Sequence, residues 1–348
     1  MAFRKSAEAR TQIVEVTPPA AIPGGEFQIR GKGLANFGNG ADAGERPSVQ
    51  LGGVPAHVVI GSESFVIVRV PEGATGEGEL TGLEPHPVAW NSEVGVQIAE
   101  SLHPVANPAV DRRGNVYTTV SGTAGQKTPV SIYKIDTECN ARPLVTEMMN
   151  ATGLALDSAG ALYASSRHDG VVYQVSPSGN LTVYVEGMGV ATGIAFDEED
   201  NLYVGDRSGT VFKISRDRQI YVFATLEPSI AAYHLAFGPD GFLYLTGPTT
   251  SSFDVVHRIS PAGHVEMFYR GLGRPQGMAF DAKNNLYVAA SLHGRRGVVR
   301  ITPAGKAELF LSGPSIVGLA FSPSKAMILA TNNSIYRVDA GIEGRRTS

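Results

Sequence analysis

His234, Arg167 and Arg207 are the residues of this 348-residue chain whose types can do chemistry together. A neutral imidazole takes a proton as a general base, and a guanidinium holds an anion or stabilises a developing oxyanion. His234 and Arg207 are therefore the candidate catalytic pair. Asn107, Arg167, Thr192, Asp206, Tyr233, Gln276 and His293 form the candidate ligand-binding set, because each offers a hydrogen bond or a charge. Competing chemistries find less support. No Gly-x-Ser-x-Gly elbow occurs, and many serines fall in turns or loops. Asp169 and Asp206 follow second strands of adjacent repeats, but Arg167 and Arg207 stand beside them, and an ion pair from Asp206 to either arginine is the competing structural role. His234, His293 and Asp206 are metal-ligand types without the fixed spacing of a metal motif, so no metal site is expected.

These residues are positioned by a repeat. The phrase Thr192-Gly-Ile-Ala-Phe-Asp197 returns as Asn107-Pro-Ala-Val-Asp111, Gly153-Leu-Ala-Leu-Asp157, His234-Leu-Ala-Phe-Gly238, Gly277-Met-Ala-Phe-Asp281 and Gly318-Leu-Ala-Phe-Ser322, every 40 to 46 residues. That period fits a four-stranded propeller blade. The second copy shows the runs in order: 153–156, 161–165, 171–175 and 181–185. Antiparallel neighbours put the starts of the inner strands and the loops after the second strands on one face, where a site belongs. Asn107, Thr152, Thr192, His234, Gln276 and Val317 are expected around that channel end. Turns of the Asp157-Ser-Ala-Gly160 and Ser176-Pro-Ser-Gly179 types lie on the opposite face, where the aspartates bond their own turn backbone. His264-Val-Glu266 falls on that face too. Crowding at the axis calls for small residues on the inner strands, and Gly153, Gly193, Gly277 and Gly318 supply them; Asn107 and His234 break the column.

Ahead of the repeats, short β-branched or aromatic runs at 13–16, 27–30, 48–51, 56–60 and 65–70 alternate with Pro and Gly clusters and predict a small β-sandwich. The expected fold is all-β: a six-bladed β-propeller at 100–340 preceded by an immunoglobulin-like sandwich at 11–99 and followed by a polar tail at 341–348. Residues 38–46 read as a loop. The sixth repeat lacks a clear outer strand. Gly95-Val-Gln-Ile-Ala99 either supplies it or completes the sandwich.

Pro18-Pro19, Gly24-Gly25, Ile29-Arg-Gly-Lys-Gly33, Val49-Gln-Leu-Gly-Gly-Val-Pro-Ala56 and Val68-Arg-Val-Pro71 resemble the IPT/TIG immunoglobulin-like family. That resemblance implies an accessory module with a possible protein partner. The repeats, with Asn201-Leu-Tyr-Val204 and Asn285-Leu-Tyr-Val288, resemble NHL-type propellers and the senescence marker protein/gluconolactonase family. Such enzymes hold a divalent metal through a Glu in Glu-Gly-Pro, an Asp in Pro-Asp-Gly and an Asn between them. Here Ala106-Asn107-Pro108, Pro275-Gln276-Gly277 and Thr192 or Tyr233 stand instead, so the inherited cofactor is not expected.

Twenty-nine Lys and Arg against 33 Asp and Glu, a net charge of −4, provide no field for nucleic acid or an acidic membrane. The single cysteine, Cys139, cannot form an internal disulfide. Without an apolar leader or a span of eighteen apolar residues, the expected location is the cytoplasm. The leading expectation is a propeller binding a small polar or anionic ligand, a small polar molecule or a carbohydrate-derived one, at its channel mouth. A lactonase-like hydrolase, with His234 as base, and a protein-binding scaffold are the alternatives.

Overall fold

A computed structural model describes residues 11–34, 48–81, 87–122, 126–250 and 254–345. Among them every regular element is a strand, in a propeller-like arrangement. The expected loop at 38–46 lies outside the described residues, as do residues 346–348 of the tail. The chain divides into two compact units, 1–96 with 310–314, and 97–309 with 315–348.

In the larger unit each repeat folds as an antiparallel meander. The inner strands are Ala109–Val110, Ala151–Leu156, Ala191–Phe196, His234–Phe237, Met278–Phe280 and Ile316–Phe321. They pack side by side in chain order, and the last meets the first. The expected set of six four-stranded blades is corrected to five: the meander of the fifth repeat, from Met278–Phe280 to Ala307–Ser312, lies within a six-stranded sheet. The far end of Ala307–Ser312 counts with the smaller unit, where Leu311 and Ser312 pair with Ala20 and Ala21. A short strand that still offers a free backbone edge accepts further strands. Val96–Ala99 pairs beside Ile335–Val338 as the outer strand of the last sheet.

The repeated phrase has a physical explanation. Asp157 accepts the N–H groups of Ala159 and Ala161 at 3.0 and 2.8 Å, and the Tyr163 hydroxyl donates to its other oxygen at 3.2 Å. Asp111, Asp197 and Asp281 do the same with Tyr117, Tyr203 and Tyr287. In three copies the Asn four residues on adds its amide to the carboxylate. The tyrosine ring then stands edge-on to the phenylalanine of the next inner strand: Tyr163 to Phe196 at 4.8 Å, Tyr203 to Phe237 at 5.0 Å, Tyr244 to Phe280 at 4.8 Å and Tyr287 to Phe321 at 5.3 Å. Turn, strand pair and contact between repeats thus share one residue. The glycine column follows from crowding: a Cβ on Gly153 would lie 2.3 Å from the Thr192 carbonyl oxygen, and one on Gly193 2.3 Å from that of Tyr233.

The smaller unit pairs seven strands into one continuous sheet, in the order Gln12–Thr17, Glu26–Lys32, Phe65–Arg69, Val54–Gly61, Ser48–Leu51, Glu77–Thr81 and Val88–Asn91. Side chains from both ends of that order, including Phe27, Ile29, Val66, Leu51 and Leu80, share one buried cluster.

Candidate functional site

The starts of the inner strands and the ends of the second strands converge on a cavity of about 300 Å³. Thr192 and His234 reach it from inner strands and Gln276 from the residue pair before one; Arg167 and Arg207 follow the second strands Leu162–Ser166 and Leu202–Asp206. Thr152 and Val317 complete the expected ring on this side. His103 and Ile230 also line it and were not singled out from sequence, because both lie in irregular segments outside the repeat phrase.

Four of the candidate residues are elsewhere. Asn107 lines a second cavity at the other end of the channel, and its amide is committed to the ring: it donates to the Met278 carbonyl at 2.9 Å and accepts the Leu319 N–H at 3.0 Å. The Asp206 carboxylate caps its own loop, accepting the N–H groups of Val190 and Ser208 at 2.9 and 3.1 Å and the Ser208 hydroxyl. The expected ion pair from Asp206 to Arg167 or Arg207 is corrected accordingly: among the described residues the carboxylate meets these three donors and neither arginine. Tyr233 is buried with its hydroxyl on the Glu227 carbonyl. His293 occupies an exposed turn with φ of 50° and does not reach the cavity.

Within the cavity, hydrogen-bonding capacity is unevenly spent. Thr192 donates its hydroxyl to the Gly205 carbonyl at 2.8 Å and accepts the Tyr233 N–H at 3.1 Å, so it is wall rather than ligand contact. Thr152 donates to the Asn150 carbonyl at 3.0 Å. Gln276 is held through its backbone, donating to Ala289 at 2.8 Å and accepting the Thr246 hydroxyl at 2.6 Å, which leaves its side-chain amide unbonded among the described residues. Arg167 donates to the Gly122 carbonyl at 2.9 Å. Among the described residues neither Arg167 nor Arg207 has a carboxylate partner, and no Asp or Glu lines the cavity. Burial, and then the neighbouring Arg207 charge, pull the Arg167 pKa below the usual guanidinium range.

His234 is 3% exposed and lines both this cavity and the lower one. Its ring makes no hydrogen bond among the described residues, and burial lowers its pKa to about 4. At neutral pH it is an uncharged imidazole. It can donate or accept a hydrogen bond, but a base of that pKa takes a proton poorly at pH 7.

A hard divalent cation does not fit this donor set. The positions expected to carry carboxylates hold Ala106 and Gln276, and among the described residues no three His, Cys, Asp or Glu side chains are grouped to hold an ion. The arrangement can instead neutralise and orient an anion.

No family model matches the chain, and no curated protein is similar to it in sequence. Solved structures are similar in fold. A structural genomics protein of unknown function from Bacteroides thetaiotaomicron superposes with a TM-score of 0.59 at 12% identity, over 96% of this chain and 98% of that one. An auxiliary nutrient binding protein from Bacteroides thetaiotaomicron gives 0.56 at 12% identity, over 95% and 97%. A gluconolactonase from Xanthomonas campestris gives 0.60 at 13% identity, over 71% and 89%. No helix of the described residues is long and apolar enough to cross a membrane.

Proposed function

We propose that the larger unit binds a small anionic polyhydroxy ligand in the upper cavity. The carrying observation is the Arg167 and Arg207 pair, two cations side by side with no carboxylate among the lining residues. Unbalanced positive charge in a partly desolvated pocket favours an anion, and a guanidinium grips a carboxylate with two parallel hydrogen bonds. Gln276 and the neutral His234 ring then serve the ligand's hydroxyl groups. A similar fold over nearly the whole chain in an auxiliary nutrient binding protein supports a binding role. The smaller unit, in this reading, is an immunoglobulin-like accessory module that contacts a protein partner; the buried cluster shared by both ends of its sheet supports it.

Thermal unfolding in the presence of gluconate, glucuronate and neutral glucose tests the binding reading. Ligand at one hundred times its Kd stabilises by about 2.7 kcal/mol, a readily measured rise in Tm. The acids are expected to stabilise and glucose not; equal shifts with all three, or none, would sink the proposal.

The second reading is a lactonase-like hydrolase, supported by the likeness to a gluconolactonase and by His234 sharing a cavity with both arginines. Binding is preferred because a base with a pKa of about 4 is badly matched to neutral pH. Turnover of a sugar-lactone panel, lost in His234→Ala, would reverse that preference.

A further inference from the structure

The lower half of the channel is a separate compartment, and its chemistry differs from that of the mouth. It is an open cavity of about 250 Å³, with His234 in its lining. Phe196, Phe237, Phe280 and Phe321 line it, each held by the edge-on tyrosine of the preceding repeat. Those rings cannot swing in to fill the space without breaking a contact between repeats. The Asn107 amide is fully committed to backbone groups, as described above.

One charged side chain enters, from the C-terminal segment. Arg345 donates its backbone N–H to the Phe280 carbonyl at 2.9 Å, and the preceding Gly344 bridges to Asp281. One guanidinium nitrogen donates to Glu198 at 3.1 Å. The Nε is buried and has no hydrogen-bond partner among the described residues. Arg345 also lines an outer groove shared with Glu198, Lys213 and Asp240, so the guanidinium stands at the passage between groove and compartment. Glu198, its only ion-pair partner among the described residues, is 73% exposed, where such a pair contributes little.

We propose that this compartment is a second ligand site, for a small monoanion with an apolar body, such as an aromatic or short-chain carboxylate. The phenylalanine rings take the body, the Arg345 guanidinium takes the carboxylate, and the carboxylate competes with Glu198. A buried N–H without an acceptor costs free energy that such a ligand would recover. Among the described residues no other cation lines the compartment, so a dianion or a sugar acid is better served at the mouth. The site is independent of Arg167 and Arg207, which line only the upper cavity.

Titration calorimetry on the full chain with benzoate, and with benzamide as the uncharged control, tests this. Benzoate is expected to bind saturably and at least tenfold more tightly than benzamide. Arg345→Met is expected to lose that preference. Glu198→Gln, an exposed change that leaves the fold alone, is expected to tighten benzoate several-fold by removing its competitor. Arg207→Ala, although expected to weaken a sugar acid at the mouth, is expected to leave benzoate affinity unchanged. The proposal is overturned by the absence of saturable benzoate binding, by binding that survives Arg345→Met or is unaffected in Glu198→Gln, or by binding lost in Arg207→Ala, which would place benzoate at the mouth.

Discussion

Arg167 and Arg207 project from equivalent positions of adjacent repeats, and the charge of Arg207 adds to burial in lowering the pKa of Arg167. Like charges held together with no carboxylate partner among the described residues do not add to stability. Each should matter to ligand and little to fold. Arg207→Ala is expected to weaken binding of an acidic ligand about tenfold, the worth of one charge-assisted contact. Equilibrium unfolding should show no loss of stability. Unchanged affinity would remove the arginine pair from the site.

His234 links stability to pH. Burial depresses its pKa to about 4, whereas the unfolded chain titrates near 6.5. Below pH 6.5 the unfolded state therefore takes up a proton that the folded state refuses until about pH 4. Stability falls across that window, by up to roughly 3 kcal/mol from this group alone. Urea unfolding at pH 7 and pH 4.5 should show a smaller loss for His234→Gln than for the parent chain. Equal losses would mean that the imidazole is not desolvated.

The Asp157 and Tyr163 pair should be structural only. Burial, followed by the nearby Asp157 charge, raises the tyrosine pKa well above its usual value, so the hydroxyl stays a donor at any ordinary pH. Tyr163→Phe is expected to cost about 1 kcal/mol of stability through the lost hydrogen bond. Affinity for an acidic ligand should be unaltered, since both residues lie away from the upper cavity. A change in affinity at constant stability would contradict that placement.

Chelation should have no effect. With Ala106 and Gln276 at the positions where carboxylates would hold a cation, neither EDTA nor added calcium is expected to move Tm or ligand affinity. A calcium-dependent rise in Tm would reopen the metal question.

Closure of the ring can be tested by shortening the chain. A protein beginning at Ala106 lacks Val96–Ala99 and leaves Ile335–Val338 as an exposed edge. It is expected to aggregate or unfold more readily than one beginning at Glu93. Equal behaviour of the two would deny the edge strand a role.

Much of the ring was legible because its determinants are local and repeated. The Ala-Phe-Asp and Asn-Leu-Tyr phrases encode a turn, a strand pair and a ring contact at one period. Placement of Thr152, Thr192, His234, Gln276 and Val317 followed from that period and from strand direction. Asn107 misled for an instructive reason. It breaks the glycine column as His234 does, yet its short amide reaches backbone groups of two neighbouring strands, while the longer imidazole finds none. Asp206 misled because a carboxylate beside an arginine in sequence can turn into its own loop. The six-stranded sheet depends on a pairing between Ala20–Ala21 and Leu311–Ser312, residues about 290 positions apart, which no local pattern announces.

The last sheet takes its outer strand from residues that precede the whole ring, and Gln97 donates to the Ser334 hydroxyl at 3.0 Å across 237 positions. Until Ile335–Val338 has folded, Val96–Ala99 has no partner in that sheet. Until then five repeats can form by contacts with near neighbours, but the join must bear the entropy of closing a very long loop. Ring closure thus joins two distant segments of the chain, and until it occurs Val96–Ala99 is a strand without its partner in that sheet.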